Sequence, residues 1–141
     1  MKDPTAKMSK SAPDVSSRIL LTDTASEIQR KVRSAVTDSI QGITYDPINR
    51  RGTSNLLSIL SACTGDPVEQ IAASYEGKGH GVLKKDVADA LEEMLKVPRA
   101  EFARLRGETE LLASIAKEGA EKAKERSSRT LKEVRNMIGL C

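Results

Sequence analysis

Tryptophan is absent from this chain of 141 residues, and its aromatic side chains are Tyr45, Tyr75 and Phe102. β-Sandwiches and barrels lean on aromatic and β-branched residues, so this scarcity argues against them and for helices. Cysteine is nearly as rare. Cys63 and Cys141 cannot make a disulfide framework, and the single histidine, His80, cannot complete a zinc site with them. Cys63, between Leu60 and Thr64, reads as a small apolar core residue, and Cys141, the last residue, as a loose terminal thiol. No apolar run approaches the roughly 20 residues that cross a bilayer, and the first residues show neither a signal peptide nor an Arg-rich presequence. The chain therefore reads as soluble, with no membrane partner and no metal site.

Charge of one sign is also missing. Lys and Arg number 23 against 20 Asp and Glu, a net charge of +3. Each of the portions 1–24, 25–107 and 108–141 holds one more basic than acidic residue. There is no basic arm and no acidic tail, so any anion must be bound by local geometry rather than by bulk charge. The length suits one domain of ordinary size.

What is present is helical periodicity. The stretch before Arg18, with Pro4 and Pro13, has no period and reads as a mobile loop, and Arg18-Ile19-Leu20-Leu21-Thr22 reads as a short buried strand in need of a partner. Thr24 and Glu27 form a capping box, and Ile28, Val32, Ala35 and Val36 share one face of a helix expected over residues 26–39. A second helix is expected over 53–64, with Leu56, Leu57, Ile59, Leu60 and Cys63 inward and Gly65 ending it. Asp66 and Glu69 suggest another capping box, opening a helix whose Val68, Ile71, Ala72 and Tyr75 share a face. After the glycine-rich 76–81 connection, Leu83, Val87, Ala90, Leu91, Met94 and Leu95 form an amphipathic stripe that Pro98 should kink or restart, with Phe102 and Leu105 on the following segment. Leu111, Leu112, Ile115, Leu131, Val134 and Ile138 continue the pattern, with a break expected near Ser127-Ser128. These apolar stripes read as core. The architecture is an all-α bundle of roughly five or six helices.

The segment that can carry chemistry is Lys7-Met8-Ser9-Lys10-Ser11. Two ammonium groups and two hydroxyls on an irregular loop can close over a polyphosphate, the lysines as mobile point charges and the hydroxyls as donors. When a carboxylate attacks the α-phosphorus of ATP, charge grows on the departing pyrophosphate, and cations that meet it best in the transition state raise the rate. By composition alone the same pentad is a solvated Lys/Ser linker. The pentad resembles, without departure, the KMSKS signature of class I aminoacyl-tRNA synthetases. Ser34-Ala35-Val36-Thr37-Asp38-Ser39, Thr44-Tyr45-Asp46-Pro47, Gly52-Thr53-Ser54-Asn55-Leu56-Leu57, Tyr75-Glu76-Gly77-Lys78-Gly79 and Leu83-Lys84-Lys85-Asp86-Val87-Ala88 are similar, in order and spacing, to bacterial-type tryptophanyl-tRNA synthetases. The resemblance runs from about Asp3 to Leu140, with His80 where the family commonly has an aromatic and Arg51 where it often has Pro.

That resemblance implies that Lys7 and Lys10 act on the ATP phosphates as catalytic residues, with Ser9, Ser11 and the backbone at Met8 completing the nucleotide contacts and Mg2+ accompanying ATP. It divides the chain into 1–23, the pentad loop and the end of a Rossmann catalytic domain, and 24–141, a helical anticodon-binding domain. The implied partners are tRNA(Trp), ATP and L-tryptophan, within a family whose members are homodimers. Only six residues precede Lys7, so the tryptophan pocket and the other half of the ATP site are not here; the chain reads as the C-terminal part of a tryptophan–tRNA ligase, monomeric and inactive alone, with Met1 an internal methionine. The expected setting is the mitochondrial matrix, with bacterial cytoplasm as the alternative. Lys84, Lys85, Arg99, Arg104, Arg106, Lys117, Lys122, Lys124, Arg126, Arg129, Lys132 and Arg135 are candidates for phosphate contact, although many have acidic neighbours at helical spacing, as Glu118 has with Lys122 and Glu125 with Arg129. Lys78 in the glycine-rich connection is a lesser candidate. Ile19, Leu20 and Leu21 are expected to form an exposed apolar patch. The competing readings are a free-standing helical RNA-binding module without catalysis and a helical protein-interaction domain.

Overall fold

The computed structural model describes residues 2–140, so the terminal thiol expected at Cys141 lies outside the described residues. Five α-helices follow a short 3-10 turn at Val15–Ser17: α1 Ala25–Arg33, α2 Arg51–Thr64, α3 Val68–Ser74, α4 His80–Arg106 and α5 Thr109–Met137. The chain divides into two compact units, one ending at Arg99 and the other beginning at Ala100.

The first unit holds the core. Ile28 and Val32 of α1, Leu56 and Leu57 of α2, and Leu83 and Val87 of α4 have no exposed surface, and Ala35, Ile43, Leu60, Ile71, Tyr75 and Ala88 join them. Helical spacing selected most of these residues, because apolar side chains three and four apart line one face. Thr24 closes α1 as expected: its Oγ1 accepts from the Glu27 N–H at 3.3 Å, and Glu27 accepts from the Thr24 N–H at 2.8 Å. Gly65, at φ +83°, ends α2 in the left-handed conformation that glycine adopts without steric cost.

Several expectations fail for identifiable reasons. Arg18–Thr22 forms no strand; a lone strand has no ladder partner, and Ile19 packs on the core while Leu20 and Leu21 stay exposed. Helix α1 stops at Arg33 instead of Ser39, which leaves Val36 about half exposed. The carbonyls beyond it are used elsewhere: those of Ile40 and Gly42 turn onto the Arg50 guanidinium rather than onto later N–H groups of a helix. The Asp66 capping box is not made. Pro67 occupies the cap of α3 with no side-chain bond, and the Asp66 carbonyl accepts from Ser61 Oγ at 2.6 Å. Cys63 is only partly buried. Of the two outcomes expected at Pro98, a restart does not occur, since α4 runs through it, and α5 is unbroken at Ser127-Ser128. Met94 is exposed rather than inward.

The second unit departs furthest from expectation. Helix α5 has no buried residue, and Leu111, Leu112, Ile115, Leu131, Val134 and Ile138 all remain exposed. Helical spacing alone therefore does not make these side chains core.

One position fixes how closely α2 approaches the segment after α1. A Cβ built on Gly52 would lie 2.3 Å from the Val36 carbonyl oxygen and 3.0 Å from the Thr37 Cα. Both neighbours are backbone and cannot rotate away. Gly52→Ala is expected to destabilise the chain by about 1–3 kcal/mol through overpacking, whereas Gly79→Ala, with nothing within 4 Å of the new methyl, should be near neutral. Urea titration of both variants, followed by far-ultraviolet circular dichroism, measures the difference.

Candidate functional site

Lys7-Met8-Ser9-Lys10-Ser11 lies on irregular backbone with all five residues exposed. One tight turn, with the Ala12 N–H donating to the Ser9 carbonyl at 3.2 Å, shapes its end. The Ser9 and Ser11 hydroxyls stand 3.1 Å apart, and neither Lys7 nor Lys10 has a hydrogen bond or ion pair among the described residues. The neighbouring carboxylates are already engaged. Asp3 accepts from the Thr5 N–H and hydroxyl, and Asp14 accepts from those of Ser16, capping the 3-10 turn. Arg18 ties the far end down by donating to the Ala12 carbonyl at 2.7 Å. The flanks are thus anchored while two cations and two hydroxyls are left open to a ligand.

Behind the loop, the segments that carried the resemblance meet one another. Arg50, immediately before α2 and 4% exposed, donates from Nε and Nη2 to Asp38, from Nη1 to Thr44 Oγ1, and from Nη2 to the Ile40 and Gly42 carbonyls, all within 3.2 Å. Thr53 Oγ1 donates to Asp38 at 2.7 Å, and the Nε2 of His80, first residue of α4, lies 3.0 Å from Thr53 Oγ1 and 3.3 Å from Arg50. Ser54 Oγ accepts from the Asp46 N–H at 2.9 Å, while the Asp46 carboxylate accepts from the Ile48 and Asn49 N–H groups. Tyr75 donates its hydroxyl proton to Asp86 at 2.6 Å. Asp23 and Lys31 form a second buried pair at 2.6 Å, with the Leu20 N–H also on the carboxylate, and this fastens the approach to α1.

The cationic candidates separate clearly. Lys84 donates to the Ala35 carbonyl at 2.7 Å and serves packing. Arg99 forms a fork with Glu92, Arg104 pairs with Glu101 and Glu108, and Lys122 pairs with Glu118 as its spacing suggests. Lys78 sits 4.8 Å from the Tyr75 ring centroid. Arg129 has no ion pair with Glu125 among the described residues. Arg30 and Arg33, absent from the sequence-based candidates, border an open cleft between α1 and α4 with Lys84 and Lys85.

The family model for class I tRNA synthetases (W and Y) matches residues 1–96. The chain belongs to that family. Among relatives, it is 41% identical to the tryptophan–tRNA ligase of Enterococcus faecalis over 99% of this chain and 41% of that protein, and 42% identical to that of Corynebacterium efficiens over 99% and 40%. The crystal structure of tryptophanyl-tRNA synthetase from Mycoplasma pneumoniae matches with a TM-score of 0.76 at 28% identity, covering 99% of this chain and 42% of that one. The chain therefore spans about two fifths of the length of the relatives it matches.

In this synthetase chain the Arg50 cluster strongly perturbs its titratable groups. The Arg50 hydrogen bonds hold the Asp38 carboxyl well below the usual carboxylate range, with Thr53 and the Ile40 N–H adding to them against the opposing effect of burial. Burial pushes the His80 imidazole below its ordinary value, outweighing the nearby Asp38 charge. Its place at the N-terminal end of α4 works in the same direction, because a helix start disfavours positive charge. Both groups fold preferentially in the deprotonated form. Their stabilising effect is complete above the unfolded pKa values and falls as pH drops, from about 6.5 for His80 and from about 4 for Asp38. Removing the carboxylate charge leaves a buried guanidinium uncompensated, so Asp38→Asn is expected to cost about 3–5 kcal/mol near neutrality. The gap between wild type and variant should narrow below about pH 4, where Asp38 begins to take up a proton in the unfolded chain while the folded carboxyl still resists it. Denaturant titrations at stepped pH read both effects.

Proposed function

We propose that this chain supplies the ATP-phosphate loop and the tRNA-binding helical part of a tryptophan–tRNA ligase, which joins L-tryptophan to tRNA(Trp) at the expense of ATP. The observation that carries this reading is the pentad itself: among the described residues Lys7 and Lys10 have no hydrogen bond or ion pair, and the flanking acids Asp3 and Asp14 are engaged. Such a loop suits the departing pyrophosphate. As the tryptophan carboxylate oxygen bonds to the α-phosphorus, the bond to the bridging oxygen breaks, and Lys7 and Lys10 meet the charge that collects on the leaving group. The Ser9 and Ser11 hydroxyls and the backbone at Met8 complete the nucleotide contacts. The pentad offers no carboxylate to a metal, so Mg2+ would be held chiefly by phosphate oxygens and would neutralise them.

In this reading residues 1–23 belong with the catalytic portion and 24–141 bind tRNA. The chain spans about two fifths of its relatives, and two cations on an open loop cannot by themselves supply the positioning that activation needs. The bacterial relatives support bacterial cytoplasm over the mitochondrial matrix as the setting. Homodimerisation belongs to the ligase as a whole.

The test joins residues 3–141 to the preceding part of the Enterococcus faecalis ligase in place of that protein's own C-terminal segment. The hybrid is expected to catalyse tryptophan-dependent ATP–pyrophosphate exchange, and the isolated chain to catalyse none. Lys7→Gln and Lys10→Gln in the hybrid should each lower kcat by about 10²–10³, with little change in the KM for tryptophan. A folded hybrid whose double variant exchanges at the original rate would remove the pentad from the chemistry.

A further inference from the structure

The cleft between α1 and α4 is formed by two matched helical stripes. Ser26, Gln29, Arg30 and Arg33 lie along one face of α1, and Gly81, Lys84, Lys85 and Ala88 along one face of α4. Its volume is about 520 Å³, and the seven-residue span of each stripe gives it a length of roughly 10 Å at the helical rise per residue. That space exceeds one phosphate group.

Four of the eight lining residues are cations and none is acidic. Arg30, Arg33 and Lys85 are exposed, and none of these three side chains has a hydrogen bond or ion pair among the described residues. Lys84 is the exception, since its ammonium is anchored on the carbonyls beyond α1. Nearby carboxylates that could neutralise the cleft are committed: Glu27 to the Thr24 cap, Asp23 to Lys31 and Asp86 to Tyr75. Asp89, one turn beyond Lys85, is not among the lining residues.

We infer that this cleft binds the sugar-phosphate backbone of RNA, with Arg30, Arg33 and Lys85 as the phosphate contacts. The inference rests on the proposed tRNA-binding role and names a site for it. The cations are spread along two helices rather than converging on one point, which suits successive phosphates better than a single small anion. No aromatic side chain lines the cleft, so it has no platform for stacking a base. Gln29 and Ser26 can add neutral hydrogen bonds to phosphate or ribose. The cleft therefore contributes affinity and register, and base identity is read elsewhere.

Fluorescence anisotropy with the complete 141-residue chain tests this, using labelled tRNA(Trp) transcript and an unrelated folded RNA of equal length over a salt series. The variant Arg30→Gln/Arg33→Gln/Lys85→Gln is compared with Lys2→Gln/Arg51→Gln/Lys96→Gln, which removes the same charge from exposed positions outside the cleft. The cleft variant should weaken binding to both RNAs by at least about tenfold and lower the log–log salt slope by about 2–3, one unit per lost phosphate contact. The control variant should stay close to wild type. Because all three cleft cations are exposed and unpaired, thermal melting should be unchanged, separating a binding defect from misfolding. If wild type binds RNA and the two variants bind equally, the cleft assignment fails while the tRNA reading stands. If wild type binds neither RNA, the tRNA reading fails and takes the cleft with it. Inorganic phosphate binding that is lost in the cleft variant, with RNA affinity intact, would instead assign the cleft to a small anion.

Discussion

The Arg50 guanidinium is the constraint on which the first unit depends. A buried cation of this size is tolerable only when its donors are satisfied and its charge is matched, and Asp38, Thr44 and two backbone carbonyls do both. Meeting those needs decides the path of the chain. Helix α1 must end early so that residues 38–44 can wrap the guanidinium, Gly42 adopts φ +77° to turn its segment, and α2 must lie close enough for Thr53 to reach Asp38. Gly52 permits that closeness by presenting no Cβ to the Val36 carbonyl. His80 then brings the start of α4 onto the same cluster.

This arrangement recasts the segments that suggested the family. Asp38, Thr44, Asp46, Gly52, Thr53, Ser54, Tyr75 and Asp86 are joints of the fold, each bonded to or packed against another element or loop. The pentad is the opposite case: among the described residues its lysines have no hydrogen bond or ion pair, and its serines bond only within the loop. On the proposed function that contrast has a use: a loop meeting phosphates during a reaction needs charge without fixed partners, whereas helices that hold a large RNA need constant geometry.

The legibility of the sequence follows the range of the interactions involved. Within the first unit, helices α1 to α4 and most of the core were readable because cap chemistry and spacing of three or four residues are local signals, and Thr24 with Glu27, Ile28 with Val32 and Gly65 behave as those signals say. The early end of α1 was not readable, because it depends on Arg50, twelve residues beyond Asp38. The continuity of α4 through Pro98, a strong local breaker, and of α5 through its serine pair, a weak one, shows local signals overridden by the helical turns on either side. The pentad was legible as a chemical pattern and by resemblance. Arg30 and Arg33 flank the buried Lys31 and Val32, and nothing local in the sequence distinguishes them from ordinary solvated helix cations; their cleft exists only once α4 packs beside α1.

Charge balance shows the same limit from another side. Every portion of the chain is close to neutral, yet α1 and α4 enclose a cleft with no acidic lining. The reconciliation lies in which charges are already used. Asp23 spends its carboxylate on Lys31, Glu27 on the Thr24 cap, Asp38 on Arg50 and Asp86 on Tyr75, so acids and bases that cancel in a count do not cancel in space. Within about a Debye length, roughly 8–10 Å at physiological salt, a phosphate responds to the uncommitted charges around it rather than to the total. Pairing inside the fold is therefore what converts a nearly neutral helical unit into one with a cationic face, and the residues that make the fold also decide where an anion is met.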